Sequence, residues 1–414
     1  MAQQRYSQNI FLDKRNKLCF YCKQLNRVLF TILSREEESL ITSAVLIGLN
    51  TDKRKYDGDE ISLEELSLLA KTAGLNPKVK LLHRRGRIDP AYYIGSGKAG
   101  EIRTIVAQNG IEAVVFDFEP SPVQMRNLER LIKCRIISRT ELILVIFEKR
   151  ARTKDAQLQV ELATLLYSLP RLRHMWTHLN RIAGHIGSKG PGEKQLETDK
   201  RKISKRISKI KKDLGSIKKH REVIRKNRQY KNKVALVGYT NAGKSSLLNT
   251  LSHSSLFTEN RLFATLDPAT REVWLGEGVK ALFTDTVGFL RRLPHTLIAS
   301  FRATLEEIKD ADILLHVVDI SSPDAAERIE AVNEVLVEIK ASELPVYYVF
   351  NKVDLLDGRN VKASILSSYR KHCVVSAKTG EGTRDLKDYL FRFFNCLPRV
   401  NETGEVYDYS TYRC

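Results

Sequence analysis

Gly238-Tyr239-Thr240-Asn241-Ala242-Gly243-Lys244-Ser245 follows the apolar run Val234-Ala235-Leu236-Val237 and precedes a stretch of helical periodicity over 244–252. A strand, a glycine-bounded loop ending in Lys-Ser, and a helix form the order that a phosphate-binding loop needs. The glycines let the main chain wrap phosphate oxygens, so that amide N–H groups and the helix N-terminus face negative charge. Lys244 is expected to reach the β- and γ-phosphates, and Ser245 to ligate Mg2+ through its hydroxyl.

Four further segments follow in the chain. Phe263-Ala264-Thr265-Leu266-Asp267 supplies Thr265 as a mobile group that completes the Mg2+ shell. Asp285-Thr286-Val287-Gly288 ends the apolar strand 281–285, where a carboxylate can hold Mg2+ through water and the Gly288 N–H can meet the γ-phosphate. Asn351-Lys352-Val353-Asp354 follows the strand Val346-Tyr347-Tyr348-Val349-Phe350. Asp354 can accept from guanine N1–H and the N2 amino group, neither of which adenine offers. Lys352 is expected to cover the base, and Asn351 to tie this loop to the phosphate loop. Ser376-Ala377-Lys378 suits a loop that meets the guanine oxygen through backbone N–H. Five elements in this order specify a guanine-nucleotide site. Lys244, Thr265 and Asn241 are its candidates for the hydrolytic step.

Two positions bear on that step. Phe289 stands where many GTPases place the Gln that positions the attacking water, and an apolar side chain cannot hydrogen-bond to water. Intrinsic hydrolysis is therefore expected to be slow or to depend on a partner. Asn241 lies mid-loop, where in such GTPases a monovalent cation supplies charge beside the transferring phosphate; K+ is the expected ion.

From Lys233 onward, strands (234–238, 281–285, 313–319, 346–351, 373–376) alternate with helical stretches (244–252, 295–309, 323–341, 383–395). This pattern predicts a mostly parallel sheet with helices on both faces. Upstream, a strand over 44–49, a helix over 60–74, a strand over 111–116 and a helix over 121–132 read as a separate α/β domain. Between the two, Leu158, Leu162, Leu165, Leu169, Leu172, Trp176 and Leu179 step by four and three. After Gly184, Gly187, Gly190 and Gly192, a second seam uses Leu196, Ile203, Ile207, Ile210, Leu214, Ile217 and Ile224. The pattern predicts two long antiparallel helices, the first kinked at Pro170, with the Gly-rich segment as the tip. The resulting plan is an extension (1–38), an α/β domain (39–148), a basic helical hairpin (149–231), a nucleotide-binding domain (232–398) and a tail (399–414).

Charge separates the second seam from an ordinary core helix. Between Lys200 and Lys233 stand 16 Lys or Arg residues against only Asp213 and Glu222. Solvated faces usually mix signs, so this one is expected to lie against phosphate. The whole chain of 414 residues carries a formal charge of +20, which points to nucleic acid or a lipid surface. A lipid-binding helix needs Trp, Phe or Leu beside its lysines, whereas this one has a narrow Ile/Leu seam suited to a partner helix. Six scattered cysteines, one CxxC (Cys19, Cys22) without a second ligand pair, and no apolar run of about 20 residues suggest a cytoplasmic protein with no membrane span. Peripheral attachment to a membrane surface is the alternative.

Together these segments resemble the HflX family of GTPases. The likeness extends beyond the nucleotide site to Tyr93-Ile-Gly-Ser-Gly-Lys98, Gln124-Met-Arg-Asn-Leu-Glu129, Lys149-Arg-Ala-Arg-Thr153, Gln159-Val-Glu-Leu162, Gly190-Pro-Gly-Glu193 and Gln195-Leu-Glu-Thr-Asp199. It covers roughly residues 40–398. Ser138 and Val145 depart from it, since members more often have Asp there. The resemblance implies a monomeric GTPase that binds the large ribosomal subunit and its ribosomal RNA, acting in ribosome splitting, rescue or biogenesis. It also implies that the tip around Gly187–Gly192 probes the RNA. A signalling or membrane-surface GTPase is the alternative, as is an RNA-binding module with a vestigial nucleotide site. The intact Lys244, Ser245, Thr265, Asp285 and Asp354 oppose the vestigial-site alternative.

Overall fold

A computed structural model describes residues 42–50, 57–84, 86–171, 191–226, 232–253, 262–291 except 264, 265 and 267, 294, 297, 302–356, 363–396, 399–400 and 406–407. The extension 1–38 lies outside them, as do Ala264, Thr265, Asp267 and residues 172–190. The chain divides into two compact units, Met1–Lys149 with Val160–Gly215, and Arg150–Gln159 with Ser216–Cys414.

The first unit is built on a four-stranded parallel sheet in the order β2-β1-β3-β4. Its strands are β1 (Thr42–Asn50), β2 (Leu75–Arg84), β3 (Ala113–Phe116) and β4 (Arg135–Ser138). Helices α1 (Asp57–Ala73), α2 (Ser96–Asn109), α3 (Pro122–Ile132) and α4 (Arg139–Arg150) connect or follow them. The strand over 44–49 and the helices over 60–74 and 121–132 fall where periodicity places them. Strand β2 and helix α2 were not read in the sequence. Pro77, Lys78 and Lys80 hide β2, an edge strand only partly buried. Gly95-Ser-Gly97-Lys98, superficially a turn, opens α2, with Gly95 at φ 89°.

Helix α4 starts through a reciprocal capping box. The Glu141 N–H donates to Ser138 Oγ (3.2 Å) and the Ser138 N–H to Glu141 Oε2 (3.1 Å). Ser138 thus fills a capping role that Asp also performs well. Behind it, Arg139 is buried and donates to both Asp117 and Glu65.

Part of the expected hairpin, including Leu172, Trp176 and Leu179, lies outside the described residues. Helix α5 (Lys154–Ser168) ends before Pro170 and is followed by a turn over 169–171, with Arg171 N–H donating to Ser168 O. The helix ends two residues before Pro170, which lacks an N–H and disfavours helical geometry in the residue before it. Helix α6 (Pro191–Lys226) runs for 36 residues, roughly 54 Å. Pro191 is its first residue, a position that tolerates proline, so Gly192 belongs to helix rather than to a loop tip. Gly184, Gly187 and Gly190 fall outside the described residues. Ile203, Ile207 and Ile210 are buried, and Arg206 grips Glu161 of α5 with two parallel hydrogen bonds of 2.6 Å. Lys200, Arg201, Lys202, Lys205, Lys209, Lys211, Lys212, Lys218 and Lys219 are exposed. No helix among the described residues is long and apolar enough to cross a membrane.

The second unit carries a six-stranded sheet, β10-β9-β8-β5-β7-β6, parallel except for the edge strand β6. Its strands are β5 (Asn232–Gly238), β6 (Ala269–Gly276), β7 (Val279–Asp285), β8 (Ile313–Asp319), β9 (Val346–Asn351) and β10 (His372–Val374). One face packs α7 (Lys244–Ser252) and, following α8 (Arg302–Lys309), α9 (Ala325–Glu338) and α10 (Ala363–Ser368), the last helix α11 (Thr383–Cys396). The α7 and α11 side chains Leu247, Leu248, Leu251, Leu386, Leu390 and Phe394 meet Leu236, Leu315, Val317 and Val349 there. The opposite face joins Val318 and Phe350 to Ala325 and Ile329 of α9. Strand β6 was not read in the sequence because Arg271, Glu272 and Trp274 face outward and leave only Val273 and Leu275 buried. Within the expected tail, β11 (Arg399–Val400) and β12 (Val406–Tyr407) pair antiparallel.

Burial raises the Glu141 carboxyl to about 7, with its backbone bond at Ser138 pulling the other way. A carboxyl whose folded value exceeds its unfolded value costs stability as it ionises. The loss therefore accrues as pH rises from about 4.5 to about 7. A glutamine in its place would preserve the capping box without that charge. Glu141→Gln is expected to match the parent at pH 4.5 and to exceed it at pH 8 by on the order of 1–2 kcal/mol in denaturant melts of the full chain. A gap independent of pH would contradict this account.

Candidate active site

The loop after β5 is held in an unusual backbone path. Gly238 has φ 150°, and a Cβ there would sit 2.2 Å from Val317 O. Asn241 is left-handed (φ 61°), and Gly243 (φ 95°) precedes the first residue of α7, Lys244. Asn241 is exposed, whereas Tyr239, Thr240 and Ala242 are buried. Lys244 is buried, and its ammonium donates to Gly238 O (3.1 Å) and Tyr239 O (3.0 Å), arching back over the loop. Burial draws its pKa down to about 8, opposed by attraction to Asp285. A phosphate brought against it would restore the charged form.

Ser245 Oγ donates to Asp285 Oδ2 at 2.5 Å, and Asp285 is fully buried at the end of β7. A hydroxyl and a carboxylate beside the phosphate loop are hard oxygen donors of the kind Mg2+ takes. The described residues contain no cluster of three His, Cys, Asp or Glu side chains able to hold a metal by themselves. Thr286 uses its hydroxyl to donate to Leu236 O (2.6 Å), which locks β7 to β5 and gives this residue a structural part. Val287 and Leu266 are buried.

The base end is equally well organised. Asn351 Nδ2 donates to Ala242 O (2.9 Å) and its Oδ1 accepts from Ala377 N–H (2.9 Å), so one buried amide joins the phosphate loop to the 376–378 loop. Lys352 is left-handed (φ 69°) and pairs with Asp319 at 2.7 Å. Ser376 Oγ donates to Asp354 Oδ1 (2.7 Å), fixing that carboxylate from behind. Val353 begins the short 3-10 turn Val353–Leu355 that carries Asp354. Lys378 is exposed beside it.

Asp319, at the end of β8, was not singled out in the sequence. Its role follows only from its contact with Lys352, although a carboxylate closing an apolar strand was a visible cue. His316 on β8 is buried, and burial together with the Lys244 charge holds it near 3, hence neutral. Phe289, expected from the sequence to stand where many GTPases place a Gln, is buried, with 2 % of its surface exposed. The structure brings together Gly238–Ser245, Asp285–Gly288, Asn351–Asp354 and Ser376–Ala377. Ala264, Thr265 and Asp267 lie outside the described residues.

Three families of known proteins match the chain. A family described as GTP-binding GTPase N-terminal matches residues 60–148, GTP-binding GTPase Middle Region matches 150–228, and 50S ribosome-binding GTPase matches 233–352. The chain is 43% identical over 336 residues to GTPase HflX of Flavobacterium psychrophilum, covering 81% of each protein. It is 44% identical over 333 residues to GTPase HflX of Escherichia coli, covering 80% of this chain and 78% of that one. A solved GTP-binding protein from Sulfolobus solfataricus in complex with GDP aligns over 86% of this chain and 99% of its own, at 23% identity and a TM-score of 0.44.

The base contacts yield a direct test. Asp354→Asn exchanges an acceptor for a donor, so the affinity for GTP is expected to fall by at least about a hundredfold. Xanthosine triphosphate, which presents an acceptor at the 2-position, should gain. Competition of both nucleotides against a fluorescent guanine nucleotide would measure the exchange, and unchanged GTP affinity would remove Asp354 from base recognition.

Proposed function

The chain belongs to the HflX family of GTPases and is a GTP hydrolase, and from that premise we propose that it is a GTP-driven factor of the large ribosomal subunit. The observation that carries this reading is the form of α6. Ile203, Ile207 and Ile210 are spent on the interior, while nine Lys and Arg side chains between 200 and 219 remain exposed. A basic surface without a free apolar stripe suits phosphate of ribosomal RNA and offers a lipid bilayer little to bury. The nucleotide-binding segment also matches the family described as 50S ribosome-binding.

At the nucleotide, Lys244 would meet the β- and γ-phosphates, and the Gly288 N–H would meet the γ-phosphate. Ser245 and Thr265 would ligate Mg2+, with Asp285 holding it through water. The ion, when bound, neutralises phosphate charge. Asn351, Lys352, Asp354 and Ser376–Lys378 would select guanine. Asn241, exposed and left-handed within the loop, would face a K+ ion beside the phosphates. With Phe289 buried, its ring cannot orient the attacking water, so turnover would be slow until ribosome binding reorders the site.

Sedimentation with isolated subunits, in GDP or a non-hydrolysable GTP analogue across a salt series, tests the partner. Association with the large subunit is expected to favour the triphosphate state and to weaken with salt. Replacing Lys205, Lys209 and Lys212 by Gln should reduce the log–log salt slope by about 0.7–0.9 for each lysine that meets a phosphate. A protein that stays off the large subunit at low salt in both nucleotide states would overturn the proposal. GTP turnover is further expected to be faster in potassium than in sodium buffer at equal ionic strength. Equal rates would remove the monovalent cation.

A further inference from the structure

Three segments of the nucleotide site converge on one residue whose only role so far is its place in the phosphate loop. Thr240 is buried (3 %), and its side chain and main chain serve different neighbours. Its Oγ1 accepts from the Phe263 N–H at 2.9 Å. Its own N–H donates to Phe289 O at 2.7 Å, and the Phe289 N–H donates to Gly238 O at 3.1 Å. These last two bonds zip the chain after Asp285 onto the phosphate loop as a short parallel bridge, Tyr239 to Phe289.

The packing around this bridge leaves little slack. A Cβ on Gly288 would lie 2.7 Å from Thr240 Cα, 3.0 Å from Thr240 Cβ and 3.1 Å from Lys244 Nζ. Gly288 therefore passes directly between Thr240 and the lysine expected to hold the phosphates. Two residues on, Leu290 is buried, and the next N–H, that of Arg291, donates to the Tyr239 hydroxyl (3.0 Å). On the other side, Phe263 is buried and left-handed (φ 56°), a costly conformation for an aromatic residue that needs surrounding contacts to hold it. Phe263 stands two residues before Thr265, the expected Mg2+ ligand.

We propose that Thr240 is a positioning residue for GTP hydrolysis, its hydroxyl setting the Phe263 main chain while its N–H sets Gly288 and Phe289. The hydroxyl fixes the main chain at Phe263. The N–H fixes how closely Gly288 approaches Lys244. Because one rigid residue makes both bonds, a displacement of either segment is felt by the other. The inference rests on the nucleotide-site reading above, and Thr240 itself touches neither reacting atom.

Thr240→Val keeps the branched shape and removes only the acceptor, whereas Thr240→Ser keeps the acceptor. Single-turnover and steady-state GTP hydrolysis of the full chain with Mg2+, together with fluorescent GDP binding, separate the possibilities. Thr240→Val is expected to lower kcat about tenfold, the worth of one hydrogen bond, while GDP affinity stays within about threefold of the parent. Thr240→Ser should restore kcat to within about twofold. Parent-level kcat in Thr240→Val would overturn the inference, as would equal losses in both variants or a loss of GDP affinity that accounts for the lost rate. A parent protein that fails to hydrolyse GTP would instead overturn the underlying site reading. Thermal melts with GDP report whether each variant is folded.

Discussion

The Asn351 side chain lies between two loops and bonds to both. Its Nδ2 gives a hydrogen bond to Ala242 O and its Oδ1 takes one from the Ala377 N–H, both at 2.9 Å and both away from water. A primary amide is the side chain able to give and take along one short span, and burial makes an unmade bond expensive. The same contact explains Gly243, where a Cβ would come within 2.2 Å of Asn351 Nδ2. Phosphate recognition and base recognition are thus set by one another through a single group. The sheet behind them, with β5, β8 and β9 side by side, supplies the rigid edge on which this amide stands.

From that edge the remaining chemistry is arranged by strand ends. Asp285 closes β7, Asp319 closes β8 and Asn351 closes β9, so three polar side chains emerge from apolar strands along one rim. Each then finds a partner: Ser245 in the first turn of α7 for Asp285, Lys352 for Asp319, and the Ala242 and Ala377 main chain for Asn351. The carboxylates are held before any ligand is considered, which lowers the reorganisation that nucleotide binding would demand. Phe289 belongs to this arrangement for a different reason. Its main chain bonds to the phosphate loop while its ring turns into the interior, so the residue acts through its backbone and leaves water-positioning to something else.

The first unit and α6 follow other constraints. Arg139, buried between Asp117 and Glu65, ties α4 to β3 and α1, and removing either partner would strand a charge. Helix α6 has a one-sided solution to its composition. Arg206 is neutralised by Glu161, and Ile203, Ile207 and Ile210 are buried, which leaves the other described basic groups of the helix exposed.

The order of motifs from Gly238 to Lys378 made the nucleotide site legible, because most of them are short, glycine- or carboxylate-marked and stand at the end of an apolar strand. Strands β5, β7, β8 and β9 were legible for the same reason. The edge strands β2 and β6 were not, since an edge places charged and polar residues outward and loses the continuous apolar signal. In the basic segment, periodicity located the buried positions Leu158, Leu162 and Leu165 of α5 and Ile203, Ile207 and Ile210 of α6, because each set returns to one face of its helix. Asp319 behind Lys352, Ser376 behind Asp354 and Thr240 between Phe263 and Phe289 belong wholly to the tertiary structure. Their partners are 33, 22, 23 and 49 residues away in the chain, and only the packing of the sheet brings them within hydrogen-bonding distance.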